Sequence, residues 1–276
     1  MLAVAAGIAF ALTACQPATP VTTPKPATAQ IEPAPLLPVF LAGVYGPRAS
    51  LDEPWADAPD GQRKAGETIE RSVCANERVE VAGAPHLLLA VCGVDPEAGH
   101  ASTGLIDFFV LKPRGAQWQV AASARDLGFG SSGQPGEVSV HRLGRNFHGF
   151  RVEGAWVGQG YVLGAQTLVV PKGNAMVEAG TVRSSISNEG ALDCELDRAC
   201  DSRRIALSFD LQPDANDAAA KVYPLVVIEH GRECGSDVRR EHRLAFDPAT
   251  WHYLVPEALM REGCLSDEPS AGERDR

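Results

Sequence analysis

Short apolar runs alternate with clusters of Gly, Pro, Asn and Asp along the chain between residues 41 and 264. The clusters recur about every ten residues, which is typical of antiparallel β domains whose strands end in turns. The predicted strands are Leu87–Val94, Leu105–Lys112, Gln117–Ala122, Glu137–Leu143, Phe147–Val152, Tyr161–Val170, Ala175–Val182, Arg204–Leu211, Tyr223–His230, Arg243–Asp247 and His252–Val255.

Several of these strands are joined by short turns. The segments Lys112–Ala116 and Pro171–Asn174 fit hairpin loops, because Pro presets φ and Gly can adopt a positive φ. Strand pairing is therefore predicted to be local. Helices are predicted at most for Gly66–Arg78 and for Pro256–Arg261, where Pro opens a short turn.

The pattern predicts an all-β domain with a mainly antiparallel, β-sandwich-like sheet and one or two short helices. It leaves open whether there are two packed β subdomains that meet near residue 190, within Asn188–Asp201. An incomplete barrel is the second architecture that the pattern allows.

The segments that flank this domain have a different composition. Residues 15–40 are rich in Pro, Thr and Ala, which predicts an extended, semi-rigid tether. Residues 265–276 are charged and contain Gly and Pro, and we expect a disordered acidic tail there.

The charge of the chain limits its partners. The 276 residues carry a formal net charge of -10, and 45% are hydrophobic, which is enough for a real core. Non-specific binding to nucleic acid or to anionic lipid depends on clustered Lys and Arg. Nucleic acid is therefore not an expected partner, and no cofactor is predicted.

Residues 1–14 are an apolar leader that precedes Cys15. A membrane-spanning helix needs about 20 apolar residues, so the leader is predicted to be a signal peptide. Its end, Leu12-Thr13-Ala14-Cys15, resembles the lipobox of bacterial lipoproteins, in which small residues before the cysteine allow cleavage after the thiol has received a diacylglyceryl group. The alternative is a short hydrophobic N-terminus that is merely cleaved or buried.

The resemblance implies that Cys15 is lipidated and that the new amino terminus is then acylated, for example with palmitate. Two or more acyl chains give stable membrane attachment. Because Gln16 follows the cysteine in place of Asp, the resemblance also implies the outer membrane, with the β domain facing the periplasm. No Lys or Arg precedes Cys15, so we expect the translation start to lie upstream of Met1.

Six further cysteines remain, an even number that an oxidising periplasm would pair. Many pairings are possible, and neighbours along the chain suggest Cys74–Cys92, Cys194–Cys200 and Cys234–Cys264. A zinc site is the competing interpretation, but no CxxC pair is present.

No dinucleotide-binding, serine-hydrolase or zinc motif occurs in the sequence in the context that its chemistry needs. The string Gly128–Gly133 matches G-x-G-x-x-G, but a strand pattern follows where a dinucleotide site needs a helix, so a β-loop that could border a ligand cleft is the simpler interpretation. No serine has the G-x-S-x-G frame of hydrolases. His141 and His148 lie on separate predicted strands, without a zinc motif. No catalytic residue is predicted.

An acidic cluster with alternating carboxylates spans Asp193–Asp201, around the loop that a Cys194–Cys200 disulfide would close. Such carboxylates could converge on Ca²⁺, although Arg198 and Arg204 stand where an EF-hand has glycine and a bidentate acid. Salt bridges with neighbouring arginines are the alternative interpretation. The candidate calcium ligands are Asp193, Glu195, Asp197 and Asp201.

Aromatic residues on the predicted strands could form a platform for a sugar or a peptide, although core packing is the more usual role. These residues are Trp118, Trp156, Tyr161, Trp251 and Tyr253. Trp156 and Tyr161 are the best candidates for ligand binding, because the glycines around them would leave the rings uncovered.

Two classes of function remain open from the sequence. The first is a membrane-anchored envelope lipoprotein whose β domain is a binding or structural module for another envelope protein, a glycan or a peptide. The second is a periplasmic hydrolase, which would need a cleft that brings a Ser or Asp to His141, His148 or His242.

Overall fold

A computed structural model describes residues 36–57, 68–194 and 199–264 of the chain. These ranges contain one α-helix, α1 (Leu37–Tyr45), and short 3-10 helices at Glu189–Ala191, Cys200–Arg203 and Glu257–Met260. The strands are β1 (Trp55–Ala56), β2 (Glu70–Val81), β3 (Ala84–Val94), β4 (Gly104–Arg114), β5 (Gln117–Phe129), β6 (Glu137–Gly144), β7 (Phe147–Gly158), β8 (Tyr161–Lys172), β9 (Ala175–Ser187), β10 (Ile205–Pro213), β11 (Leu225–Glu233), β12 (Ser236–Leu244), β13 (Phe246–Asp247) and β14 (His252–Tyr253).

Twelve of the strands form one large sheet that curls into a half-barrel. Consecutive strands pair antiparallel within β1–β5, β6–β9 and β10–β12. Strand β9 joins the three groups, because it pairs with β8 and β10 and makes a short parallel contact with β5 between Ser123 and Ala175. Strands β13 and β14 form a separate small sheet. The predicted all-β class and the local pairing are confirmed.

The curled sheet buries apolar residues on both of its faces. Phe108 of β4 and Phe150 of β7 pack across the inside, with ring centroids 4.8 Å apart. A second cluster fills the space between β8–β12 and the C-terminal segment, and a third lies under α1. Strand β3 contributes alternate side chains to two clusters, which explains its nearly continuous apolar run.

The two packed subdomains considered above are not observed, since the described residues belong to one compact unit. The reason is that the sheet continues past residue 190. Ser187 of β9 pairs with Ala206 of β10, so the chain returns to the same sheet after the loop. The curled sheet encloses its core as a sandwich does, but the incomplete barrel describes its connectivity better.

The folded domain starts earlier than predicted, because α1 begins at Leu37, within the segment assigned to the tether. Pro38 occupies the first turn of α1, where a missing N–H costs nothing. Leu41 is fully buried against the sheet, and Gly46, with a φ of +89°, follows the last helical residue. The Pro-rich composition therefore led to the prediction of a tether where the structure has a packed helix.

The helix predicted for Gly66–Arg78 is wrong where the structure describes it. Residues 70–81 form β2, which pairs with β3 along its whole length. The short 3-10 helix Glu257–Met260 confirms the helical turn predicted after Pro256. Tertiary pairing overrode a weak local helical preference in β2.

A buried ionic network attaches α1 to the sheet. Arg71 of β2 is fully buried, with its Nε 2.6 Å from Asp57 Oδ2 and its Nη2 2.7 Å from Asp126 Oδ1. Its Nη1 lies 3.3 Å from Asp107 Oδ2, a second fully buried group. The hydroxyl of Tyr45, the last residue of α1, donates to the same Asp107 oxygen at 2.6 Å. The network thus ties five separate parts of the chain together.

The three disulfides pair neighbours along the chain, as predicted: Cys74–Cys92, Cys194–Cys200 and Cys234–Cys264. They indicate an oxidising, extracytoplasmic environment. Within the described ranges, no helix has the length and apolar character needed to cross a membrane. The predicted signal peptide, Cys15, most of the tether (up to residue 35) and the tail at 265–276 lie outside the described residues.

Candidate functional site

An open, mainly apolar cleft of about 950 Å³ lies beside the small sheet of β13 and β14. Its walls come from three parts of the chain that are distant in sequence: the β6–β7 turn, the segment before β11, and the β13–β14 hairpin. The lining residues are Arg145, Asn146, Phe147, Ala219, Lys221, Val222, Pro224, Ala245, Phe246, Pro248 and Trp251.

Three half-buried aromatic rings form one side of this aromatic cleft. The Phe246 ring centroid lies 5.5 Å from that of Trp251 and 6.4 Å from that of Phe147. Phe147 and Trp251 meet edge to face at 6.2 Å. Edge-to-face packing holds the rings in fixed orientations while part of each ring stays open to the cleft.

The turn of the β13–β14 hairpin fixes the position of Trp251. The carbonyl of Asp247 accepts from the Trp251 backbone N–H at 2.8 Å, and the Asp247 carboxylate accepts from Ala249 N–H and Thr250 Oγ1. These hydrogen bonds lower the pKa of Asp247 and occupy its oxygens. They also hold Trp251 at a φ of +67°, which a non-glycine residue rarely adopts.

The opposite wall depends on a glycine. A Cβ on Gly144 would lie 1.9 Å from the backbone oxygen of Lys221, so only glycine allows the β6–β7 turn to approach this segment so closely. Backbone hydrogen bonds from Arg145 N–H to Ala220 O and from Tyr223 N–H to Leu143 O then fix the two chains side by side. The cleft is therefore built on rigid backbone contacts.

The charged groups that line the aromatic cleft are cationic. Arg145 and Lys221 stand at its rim with exposed side chains. Lys172, the last residue of β8, places Nζ 6.0 Å from the Trp251 ring centroid, within the range of a cation–π contact. This cationic rim contrasts with the net charge of -10 of the whole chain.

The two aromatic residues preferred from the sequence lie elsewhere, on the β7–β8 hairpin. Trp156 is 39% exposed and its neighbour Val157 is 67% exposed, while Tyr161 is half-buried beside Gly158 in the turn. Trp156 lines a smaller cavity of about 250 Å³ together with Gly130 and Arg183. The glycines do leave Trp156 uncovered, but the space beside it is about a quarter of that in the aromatic cleft.

The Gly-rich string forms a tight β-turn at the end of β5. Ser132 and Gly133 both have positive φ, and Ser131 and Gln134 exchange backbone hydrogen bonds. The N–H groups of Ser132 and Gly133 donate to the carbonyls of His100 and Ser102, so they are not turned toward a phosphate. The interpretation as a β-loop is confirmed, and Gly130 borders the small cavity beside Trp156.

The acidic loop is described only in part, since Glu195 and Asp197 lie outside the described residues. Asp201 is 2.5 Å from Arg232, and a hydrogen bond from that guanidinium lowers the pKa of Asp201. Among the described residues there is no group of three side chains that could hold a metal ion. A calcium site that includes Asp193 stays a prediction.

The remaining candidate aromatic residues serve different roles. Trp118 packs against the cluster under α1, and Tyr253 is buried, with its hydroxyl donating to Tyr223 O at 3.1 Å. Trp251 was one of five platform candidates in the sequence, but Phe147 and Phe246 were not recognised. Phe246 lies in the same hairpin as Trp251, but no local signal could have found Phe147, because its ring meets theirs only after two distant segments have folded together.

A second buried ionic cluster surrounds His242. The fully buried carboxylate of Glu229 accepts from Arg240, from Arg261 and from His242, whose Nε2 lies 2.9 Å away. Glu233 shares both arginines. His242 therefore takes part in a network that joins β11 and β12 to the C-terminal segment.

We expect Glu229→Gln to change how stability depends on pH. Burial alone raises the pKa of Glu229, but hydrogen bonds from Arg261 and His242 outweigh it, so the pKa lies below its ordinary value of 4.5. A carboxylate of this kind stabilises the fold above its unfolded pKa, and this contribution disappears as the pH falls through the folded pKa.

The variant should therefore lose about 2 to 3 kcal/mol of unfolding free energy at neutral pH, and less at low pH. Urea titrations between roughly pH 7 and pH 3 measure both quantities. Glu241→Gln, at an exposed position on β12, is the matched control. Parallel curves for wild type and Glu229→Gln would contradict the expectation.

Comparison with protein-family models, with curated proteins and with solved structures gives no match to this chain.

Proposed function

We propose that this protein is a lipid-anchored envelope protein whose β domain binds a ligand in the aromatic cleft. The lipobox-like segment Leu12–Cys15 supports attachment through Cys15, with the outer membrane favoured by Gln16. The disulfides are consistent with a periplasm-facing domain. The tether of residues 15–35 would separate that domain from the membrane surface.

The observation that carries the binding role is the aromatic cleft itself. Its volume lies at the upper end of the range for small-molecule sites, and its walls combine apolar rings with a few polar groups. The half-buried faces of Phe147, Phe246 and Trp251 keep apolar surface in water, and a ligand that covered them would gain about 25 cal/mol per Å². Because the rings are already held by the hairpin, little ordering would be needed on binding.

The described residues offer no observation that favours the hydrolase. Ser139 Oγ lies 3.1 Å from His141 Nε2, but no carboxylate is hydrogen-bonded to His141 within the described residues. Neither residue lines the aromatic cleft or the cavity beside Trp156. His242 is engaged by Glu229, and no serine or threonine is hydrogen-bonded to it in the described part of the chain.

Photo-crosslinking in the native envelope tests the binding role. A photoreactive residue at Pro248, in the cleft wall, should give a discrete adduct that mass spectrometry can identify. Ala219→Trp would place a large side chain in the cleft and should reduce this adduct at least tenfold. Ala215→Trp, at an exposed position of the same segment outside the cleft, should leave it unchanged.

A photoreactive residue at Trp156 provides the internal comparison. If the adduct arose only at Trp156, or if Ala219→Trp had no effect on the Pro248 adduct, the aromatic cleft would not be the binding site.

A further inference from the structure

The polar groups around the aromatic cleft restrict the chemistry of its ligand. Of the lining residues, only Arg145, Asn146 and Lys221 carry charged or amide side chains, and both charged ones are cationic. A neutral glycan needs fixed donors and acceptors for its hydroxyl groups, and carboxylates usually provide the acceptors. The walls instead offer Ala, Val, Pro and aromatic surface, which suits an aliphatic chain.

The cationic character continues around the β6–β7 turn. Arg145 and Asn146 also line an adjoining cavity of about 320 Å³, together with Arg142 and His148. The Arg142 guanidinium donates to the carbonyls of Gly144 and Arg145, both at 3.1 Å, so it is held in place at the turn.

His148 and Glu80 also lie near the turn, and they do not cancel its positive charge. Burial, Arg142 and His86 lower the pKa of His148, as expected where positive charges lie close together. Glu80 is the one carboxylate that lines the adjoining cavity. Arg142, which is held in place, and the exposed Arg145 and Lys221 therefore leave a local excess of positive charge where the apolar cleft meets the turn.

We propose that the aromatic cleft binds an anionic amphiphile, with its aliphatic chain against Phe147, Phe246 and Trp251 and its carboxylate or phosphate head at Arg145 and Lys221. This inference rests on the proposed function, because it assumes that the cleft is the binding site. The head group could belong to a free fatty acid or to a phospholipid, which share this chemistry. Ion pairs with the head would fix its orientation, while burial of the chain would provide most of the affinity.

Calorimetric titration of the full chain carrying Cys15→Ala, which avoids the need for detergent, tests the inference. The probes are dodecanoate, dihexanoyl phosphatidylglycerol and uncharged dodecyl maltoside, each below its micelle concentration. We expect at least one anionic probe to bind about tenfold more tightly than the maltoside. The stronger of the two anionic probes indicates whether the source is a fatty acid or a phospholipid.

Variants separate the head site from the chain site. Arg145→Gln and Lys221→Gln should each weaken anionic binding about tenfold, while Arg239→Gln, exposed on β12, should not. Ala219→Trp should abolish binding of all probes. Equal affinity for the maltoside, or insensitivity to both cationic-rim variants, would overturn the inference.

The crosslinking result shows whether only this inference fails or the proposed function fails as well. If none of the probes binds but the Pro248 adduct still depends on Ala219, the cleft binds a ligand of another class and only this inference fails. If the adduct is absent as well, the proposed function fails too.

Discussion

Replacing Arg71 by methionine is expected to lower the free energy of unfolding by about 3 to 5 kcal/mol, because it removes the fully buried guanidinium that bridges the carboxylates of Asp57, Asp107 and Asp126. Asp107 is fully buried, and without Arg71 it keeps the hydrogen bonds from the Tyr45 hydroxyl and the Asp126 backbone N–H, both at 2.6 Å, and the ion pair with Arg125 at 3.1 Å. Burial and the Asp107 carboxylate raise the pKa of Tyr45, so its hydroxyl stays protonated as a donor. These contacts reduce the cost only in part.

Chemical denaturation of the oxidised protein measures this loss. Arg239→Met, at an exposed position, should change stability by less than about 0.5 kcal/mol. Asp107→Asn combined with Arg71→Met should recover part of the loss, since the fully buried side chain at position 107 then carries no charge. A loss below about 1 kcal/mol for Arg71→Met would show that the buried network contributes little.

Replacing Cys15 by alanine is expected to move the protein almost completely from the membrane fraction to the soluble fraction. The lipobox resemblance implies that Cys15 carries the acyl chains, and two or more chains hold a protein stably in a bilayer where one would be marginal. Fractionation of cells that express the gene with its own upstream region, combined with labelling by a palmitate analogue, measures both effects.

Gln16→Asp is the matched control for this variant. It should keep the label and the membrane attachment, but the resemblance implies a shift from the outer to the inner membrane. If Cys15→Ala stayed in the membrane fraction, attachment would have another cause and the lipoprotein proposal would be wrong.

The sequence was least informative where composition and packing disagree. Strand β12 was recognised only at its end, because its residues 236–243 are mostly charged or polar. In the structure Arg240 of β12 pairs with Glu229 and Glu233 of β11, so charge partners across the strands replace apolar alternation. Helix α1 is apolar, but it was missed because it directly follows a Pro-rich segment whose composition predicted an extended tether.

The same limit applied to the prediction of a binding site, because the aromatic cleft is formed by residues that are distant in sequence. Trp251 could be named as a candidate, but its partners Phe147 and Phe246 lie on β7 and β13, more than 90 residues apart in sequence. Trp156 and Tyr161 were preferred because the glycines around them are adjacent in the chain. Local glycine content predicts exposure well, but it carries no information about the volume enclosed by distant segments.

The sequence was sufficient to predict the all-β class, the hairpin turns and the local strand pairing, and it suggested the disulfide pairs, because each depends on residues that lie near one another along the chain. The tertiary structure alone decided that one sheet curls through the junction at β9, that Arg71 and Asp107 meet inside it, and that three aromatic rings share a cleft with a cationic rim. These features depend on contacts between segments far apart in sequence, and such contacts are set by the packing of the whole domain.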